Sequence, residues 1–312
     1  MKLFNRHLIT GIFIIILTAC QNEGIDFDPS VDLAIGIIAD CQYCDCETSE
    51  ARYYKSSLNK LEGAIEQLNT ESLNYTIHLG DFIDRDFKSF DNLLPVWNKI
   101  SSNKYHVLGN HDFNVVDSLK PRVLDRLNLT DRYYSIVEKQ WRFIVLDGND
   151  LSFHGAYSQL KMKQTDSLYS EIIKTKELSK LVGNGGLSQE QLVWLESELI
   201  SAEKNNEQVG IYCHYPIIGN EHSNVLWNSE QILALLERYS CVKFYFNGHN
   251  HYGDYSERNG IHYLTFKAMV ESKKSSAYAS VLIINDKIYK CVLFYCCAIS
   301  FSIYFSLCSS YL

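Results

Sequence analysis

The chain predicts an α/β (α+β) layered sandwich built around mixed sheets, and three features carry that expectation. Through most of the chain, apolar runs of strand length alternate with stretches of helical periodicity, the order that builds a sheet covered by helices. Towards the end, strand-like runs follow one another with little helix between them, which adds strands to that sheet system. Several of these runs close on Gly, Asp, Asn or His, at the strand ends where an open sheet binds its ligands. No internal repeat or long low-complexity segment interrupts the pattern.

The 312 residues suit one large domain or a compact pair. The formal net charge is −8 and no Lys/Arg block occurs, which argues against nucleic acid as a partner. An anionic substrate would therefore need a local cation, and a metal site supplies one.

Residues 1–20 are set apart from the fold. Lys2 and Arg6 precede a short apolar run, residues 8–17, and Leu17-Thr18-Ala19-Cys20 follows. This reads as a secretory signal, and the cysteine resembles the lipobox of bacterial lipoproteins. A plain signal peptide or an uncleaved anchor are the alternatives. The expectation is an exported protein, lipid-anchored at Cys20 to a bacterial membrane and facing the periplasm or the exterior. Residues 21–30 are polar with Gly and Pro and read as a tether.

The domain is expected over residues 31–290. Residues 31–40 form the first apolar run. Leu58, Leu61, Ala64, Ile65 and Leu68 give residues 53–68 helical spacing. Strands are expected at 75–79 and 104–108, with a helix at 92–100 between them. Residues 133–137 and 142–147 read as a hairpin or neighbouring strands, and 159–181 as a polar helix. Ser188 caps the next helix with Gln191 three residues on, and its apolar face runs through Leu192, Trp194, Leu195, Leu199 and Ile200. Residues 208–213 and 241–247 are expected strands around a helix at 229–239, and strands at 261–268 and 279–288 close the domain.

The tail, residues 291–312, carries no charged residue and four of the ten cysteines. A membrane span, a buried strand with an ordered tail, and a frameshifted end all fit such a composition. Upstream, Cys41, Cys44 and Cys46 cluster at the first loop, with spacing for zinc or a disulfide. Cys213 and Cys241 lie in apolar runs and are expected to be buried.

The chemistry lies in five strand ends. These are Asp40-Cys41-Gln42, Gly80-Asp81, Gly109-Asn110-His111-Asp112, His214 and Gly248-His249-Asn250-His251. Together Asp40, Gln42, Asp81, Asn110, His214, His249 and His251 offer carboxylate, amide and imidazole donors. Seven such groups exceed what one tetrahedral ion takes, and no thiolate is among them. Two divalent ions sharing a carboxylate would use them all, clamping a phosphoryl group and activating water. Hard oxygens mixed with imidazole suit Mn²⁺, Fe²⁺ or Zn²⁺ more than Ca²⁺. His111 follows Asn110 and reads as a general acid or phosphate donor. For Asp112 a turn-capping role is as good a reading as a functional one. His106, His154 and His222 read as structural or exposed.

In this order the motifs resemble the five-motif signature of calcineurin-like metallophosphoesterases. The resemblance spans Asp40 to His251 and implies a four-layer αββα sandwich, two mixed sheets flanked by helices. It implies one metal on Asp40, Gln42, Asp81 and His251, a second on Asp81, Asn110, His214 and His249, and Asp81 as the bridge. It places Asp84 as the partner of His111 and Arg85 on phosphate, although Asp86 stands where such phosphatases carry Gly. It also implies attack on phosphorus by a hydroxide held between the metals. Gln42 departs from the family's usual His. A neutral amide oxygen is a harder ligand and tilts preference toward Mn²⁺ or Mg²⁺ and away from Zn²⁺.

The same departure narrows the match. Asp40-x-Gln42-Tyr43, Arg52-Tyr53-Tyr54, Ser57-Leu58, Gly185-Gly186, Gln191, Trp194-Leu195, Gly253, Tyr255, Gly260-Ile261-His262 and Glu271 resemble the manganese-dependent ADP-ribose/CDP-alcohol diphosphatases. The expected substrate is thus a small nucleoside-diphosphate-linked compound cleaved at its diphosphate. Tyr53, Tyr54 and Tyr255 are candidates to stack on a base or ribose, against the plainer reading of a tyrosine-rich surface. His262 reads equally as a core residue or a neighbour of the site. A phosphomonoesterase or protein phosphatase is the rival that Asp81–Arg85 supports. A surface binding protein that lost activity with its altered end is the rival from another class. The resemblance stops after Lys290, which favours the frameshifted end for the tail, with a second membrane anchor as runner-up.

Overall fold

The computed structural model describes residues 31–174, 181–219, 224–284, 287–296 and 299–307, the last two ranges as strand backbone. In chain order the first elements are β1 (Leu33–Ile38), α1 (Ser57–Leu68), β2 (Tyr75–His78), α2 (Ser89–Trp97), β3 (Asn103–His106) and α3 (Val123–Arg126). A second group follows: β4 (Tyr134–Glu138), β5 (Trp141–Val145), α4 (Gln159–Ile172), α5 (Gln189–Asn205), β6 (Gln208–Tyr212), α6 (Ser229–Leu236) and β7 (Val242–Asn247). The chain closes with β8 (Asp254–Arg258), β9 (Ile261–Thr265), β10 (Ser276–Ile284), β11 (Lys287–Cys296) and β12 (Ile299–Leu307).

The strands form two six-stranded mixed sheets, ordered β12-β11-β10-β1-β2-β3 and β4-β5-β6-β7-β9-β8. In the first, β1, β2 and β3 run parallel while β10, β11 and β12 pair antiparallel. In the second, β5, β6, β7 and β9 run parallel, with β4 and β8 antiparallel at the edges. β1 reads Leu-Ala-Ile-Gly-Ile-Ile and is buried throughout, as a strand covered on both faces must be.

Burial on both faces makes four layers, as the resemblance implies. Ile35, Ile37 and Ile77 meet Phe143, Tyr212, Phe244 and Phe246 between the sheets. On the outside of the first sheet, α1 and α2 bury Leu61, Ala64, Ile65, Phe90, Leu93 and Trp97. On the outside of the second, α5 and α6 bury Leu192, Leu195, Leu199, Ile232 and Leu236. Ser188 caps α5, its side chain accepting from the Gln191 N–H as expected. The predicted face of that helix needs one correction: Ile200 is exposed, because it sits off the stripe that Leu192, Leu195 and Leu199 define.

Further differences concern element ends, one edge strand and the end of the chain. α2 starts a turn earlier than 92–100, and α4 ends at Ile172. β8 reads Asp-Tyr-Ser-Glu-Arg, mostly exposed at a sheet edge, so no apolar run announces it. The expected strand at 279–288 joins the end of β10 to the start of β11. The domain boundary expected at 290 also falls inside β11, and β12 adds nine register positions beyond it. Residues 299–307 alternate apolar residues with Ser or Tyr almost without break, which is the period of a strand. No helix among the described residues is long and apolar enough to cross a membrane. The signal segment, Cys20 and the tether lie outside the described residues, as does His222.

Candidate metal centre

The five strand ends converge at one edge of the sandwich. Asp40 and Gln42 follow β1, Asp81 follows β2, Asn110 follows β3, His214 follows β6, and His249 and His251 follow β7. All seven expected donors join in one chain of contacts. Gln42 Nε2 donates to Asp81 Oδ2 at 2.9 Å and lies 3.2 Å from His251 Nε2. His251 Nε2 is 3.8 Å from Asp40 Oδ1, and the His249 backbone N–H donates to Asp40 at 3.2 Å. His214 Nε2 lies 3.3 Å from Asp81 Oδ2, 3.1 Å from Asn110 Oδ1 and 3.1 Å from His249 Nδ1.

Backbone strain gathers here. Asp40, Gln42, Asp81 and His249 all adopt left-handed φ values, 52°, 42°, 57° and 66°, which side-chain-bearing residues rarely take. Glycines give them room. A Cβ on Gly109 would come within 2.2 Å of the Asp81 N and Oδ1, and one on Gly248 within 2.4 Å of Asp40 Oδ2. The strand-end glycines of the sequence motifs are thus required by close approach, which any larger residue would block.

The donors fit a cation. Asp40 and Asp81 are fully buried carboxylates facing a largely buried imidazole cluster. Gln42 Oε1 and His249 Nε2 are buried without a hydrogen-bond partner, which a coordination role explains. Turning the Gln42 amide by half exchanges its O and N and puts an acceptor beside Asp81 and His251. The electrostatics ask for positive charge. Burial opposes the imidazolium form of His214, yet Asp81 pushes its pKa up to about 9. Burial also works against the Asp81 anion, but His214 and His111 hold its pKa well below the carboxylate range. Burial raises Asp40 to about 6 and pushes His249 well down. Ligand atoms of Asp81, His214 and His249 all lie within 4.8 Å of one another.

Around the centre, the His111 N–H donates to Asp81 Oδ1 at 2.8 Å, and its Nδ1 meets Asp84 Oδ1 at 2.9 Å. Asn114 also donates to that Asp84 oxygen, at 3.2 Å. Burial disfavours the charged ring, but Asp81 and Asp84 raise the His111 pKa above its ordinary value. Arg85 sits at the rim: its guanidinium lies 5.0 Å above the Tyr54 ring, donates to the Tyr54 hydroxyl, and is 3.7 Å from Asp84. Asp112 is a cap. Its carboxylate accepts from the N–H groups of Gly109, Asp81, Phe82 and Ile83, at 2.8 to 3.2 Å, and so builds the turn that carries Asp81.

Other expectations resolve individually. Cys44 and Cys46 are joined by a disulfide, and the Cys41 thiol is buried 3.6 Å from the Met269 sulfur, so these cysteines form no thiolate ligand set. Cys213 and Cys241 are buried. His106 packs in an aromatic cluster with Trp97 and Phe82. His154 is half-buried beside the centre, where burial and then the charge of His111 lower its pKa. His262 stacks on Tyr255 and meets its hydroxyl at 3.0 Å. Of the candidate stacking rings, Tyr54 is buried beneath Arg85, Tyr53 is half-buried and Tyr255 is exposed on β8.

Two supports lie outside the five strand-end motifs. Asn149, after β5, donates to the Leu108 carbonyl at 3.1 Å and accepts from the Tyr215 hydroxyl at 2.8 Å, tying the Asn110 loop to the His214 loop. Glu271 holds His251 Nδ1 at 2.5 Å. Gln191, quoted for its capping position, also donates to the Asp147 carbonyl and to Asp150, bracing the loop that carries Asn149.

Residues 33–253 match the family described as Calcineurin-like phosphoesterase. The chain is 31% identical to the manganese-dependent ADP-ribose/CDP-alcohol diphosphatase of Homo sapiens, the match covering 81% of this chain and 88% of that one. It is 29% identical to the enzyme of the same name from Xenopus laevis, over 81% and 85% of the two chains. Among solved structures, a dimetal phosphatase from Danio rerio superposes with a TM-score of 0.75 at 25% identity, covering 84% of this chain and 96% of the other. A strand-end donor set of this kind, on this four-layer scaffold and with these relatives, places the chain in the calcineurin-like phosphoesterase family.

Proposed function

We propose that the protein is a two-metal phosphohydrolase that cleaves the diphosphate of small nucleoside-diphosphate-linked compounds, of the ADP-ribose or CDP-alcohol type. The observation that carries this is the buried Asp81 carboxylate. One of its oxygens contacts both Gln42 and His214, so it stands between two sets of donors. The names of the relatives support the substrate class and Mn²⁺.

Asp40, Gln42 and His251 with Asp81 would hold one cation, and Asn110, His214 and His249 with Asp81 the other. Bound there, the two ions supply Lewis-acid charge to the phosphate oxygens and acidify water. The chain's residues do the rest. Asp84 takes the His111 Nδ1 proton in a hydrogen bond, which fixes the ring and leaves Nε2 as its working nitrogen. So oriented, His111 can give a proton to a phosphate oxygen or the departing phosphate ester. Arg85 offers a rim cation, steadied on Tyr54, for the remaining phosphate charge. A phosphate leaving group departs more easily than an alkoxide, so the acid contributes less here than in a monoesterase.

Product analysis tests this reading. Purified protein with Mn²⁺ should release AMP from ADP-ribose and CMP from CDP-choline, with little turnover of p-nitrophenyl phosphate. Preference for the monoester would move the protein to the general phosphatases. No turnover of any of them by folded, Mn²⁺-loaded protein would favour the binding-protein rival.

The proposal extends to location: an exported enzyme, lipid-anchored through Cys20. The Cys44–Cys46 disulfide supports an oxidising compartment. Cys20→Ala should move the protein from the membrane to the soluble fraction, and a variant that stays with the membrane refutes this anchor.

A further inference from the structure

The segment from Ala268 to Ser272 crosses the site end of β1 as a strap. Its backbone N–H groups reach three separate pieces of the centre: Ala268 donates to the His251 carbonyl, Met269 to Ala39 and Val270 to Asp40, each at 3.0 Å. The Val270 carbonyl accepts from Tyr53 at 2.9 Å. Lys60 on α1 is buried and clamps the strap, its ammonium donating to the carbonyls of Met269 and Ser272 on either side of Glu271. Lys60 is itself tied down, its carbonyl accepting from Ser276 Oγ at 2.8 Å. Between the clamped carbonyls, Glu271 Oε1 meets His251 Nδ1 at 2.5 Å, while His251 Nε2 faces Gln42 and Asp40. The matching nitrogen of the other half, His214 Nδ1, rests instead on the Leu79 backbone carbonyl at 2.9 Å.

We propose that Glu271, positioned by Lys60, sets how tightly the Asp40–Gln42–His251 half takes its divalent cation, so that the two halves of the centre load with separate affinities. The proposal rests on the two-metal reading above. A carboxylate behind an imidazole fixes its tautomer and strengthens its inward nitrogen as a donor. A neutral backbone carbonyl fixes the tautomer with less electrostatic reinforcement. Glu271 contacts His251 and neither His214 nor His249, so its effect is confined to one half. Lys60 acts through the strap and never reaches the donors, which makes both residues positioning residues.

The test is a Mn²⁺ titration of the full chain, with sites counted by calorimetry and the spin-coupled pair followed by electron paramagnetic resonance. Glu271→Ala should weaken one of two sites by about 10–100-fold and leave the other within twofold. At intermediate Mn²⁺ the coupled signal should give way to that of an isolated ion. Glu271→Gln keeps the shape and a neutral acceptor, so it should fall between wild type and Glu271→Ala. Lys60→Met should weaken the same site, by less. A general loss of structure would weaken both sites alike, so equal weakening overturns the proposal, as does unchanged binding in folded Glu271→Gln and Glu271→Ala. Wild-type protein that binds no Mn²⁺ would instead remove the two-metal reading, and this inference with it.

Discussion

The Asn110–His214–His249 half of the centre is held by the core, whereas the Asp40–Gln42–His251 half is held by a strap. His214 is wholly buried, fixed by the Leu79 carbonyl and flanked by the rings of Tyr215 and His249 at 5.0 and 4.9 Å. Tyr215 is tied through Asn149 to the loop that carries Asn110. His251 depends on Glu271, whose side chain is 21% exposed, and on a lysine from a helix of the other sheet's layer. His214 therefore inherits the stability of the core, whereas His251 can be tuned from the outside, beside the fully buried Asp40 and Gln42. On the two-metal reading, the difference would give one fold a core-fixed and a strap-tuned cation position.

The variant that ignores this division should have the largest effect. Asp81 Oδ2 contacts both Gln42 and His214, and its Oδ1 accepts from the His111 N–H. Asp81→Asn should reduce both Mn²⁺ affinities together. Metal charge at the phosphoryl group contributes several kcal/mol, so turnover should fall on the order of 10²–10⁴-fold with the circular-dichroism spectrum intact. Loss of a single site would show that Asp81 belongs to one half, and an active variant would refute the bridge.

Next in size is a pair that exposes the asymmetry. In metal-free protein, His214→Ala removes a fully buried ring and strands the Leu79 carbonyl in the core. Large-to-small core changes cost about 2–5 kcal/mol, so a melting-temperature loss on the order of 5 °C is expected. His251→Ala leaves behind Glu271, which reaches solvent, and should cost less than half as much. Both should lose activity. Equal losses in a thermal melt would break the contrast between core-held and strap-held halves.

A smaller effect tests the buried support itself. Tyr215→Phe removes the hydroxyl that Asn149 accepts from. Net loss for one hydrogen bond is about 1 kcal/mol, so turnover should drop less than tenfold and Mn²⁺ titration should still show both sites. A missing site in this variant would mean that the core half hangs on one contact rather than on several.

The two halves also differ in how far they can be read from sequence. The candidate donors stand out in the sequence because each follows an apolar run of strand length, with a glycine as well before Asp81, Asn110 and His249. Of the supports, Ser188 was legible from its own helix, while Asp84 was placed beside His111 only by the resemblance. Glu271 was visible only as part of a resemblance, and Lys60 and Asn149 not at all. Lys60 meets its strap across 209 residues, and Asn149 meets Tyr215 across 66. No local periodicity encodes such pairings. Asp112 shows the opposite difficulty, since a tetrapeptide rich in donors hid a residue that caps backbone N–H groups. In the tail, composition alone leaves a buried strand beside a membrane span and a frameshifted end, and the alternation of residues 299–307 is the period that β12 uses.

The smallest effect falls on the clamp and should appear as a pH dependence. Burial lowers the Lys60 pKa to about 8, against an ordinary value of 10.5, although Cys41 and Glu271 pull it upward. Between those two values the unfolded chain keeps the lysine proton while the folded chain releases it. Stability rises with pH wherever the unfolded state binds more protons. Lys60 should therefore add a positive slope to folding stability from about pH 8 to 10.5 and none below that window. The neutral amine still carries two N–H groups, enough for the carbonyls of Met269 and Ser272, so the strap keeps its clamp while the cost of a buried charge is relieved. Other groups titrate in the same range, so the measurement is the difference between wild type and Lys60→Met in denaturant melts across it. Wild type should gain on the variant as pH rises. A constant difference would mean that Lys60 titrates as a solvated lysine, and the strap would then be held by its backbone hydrogen bonds alone.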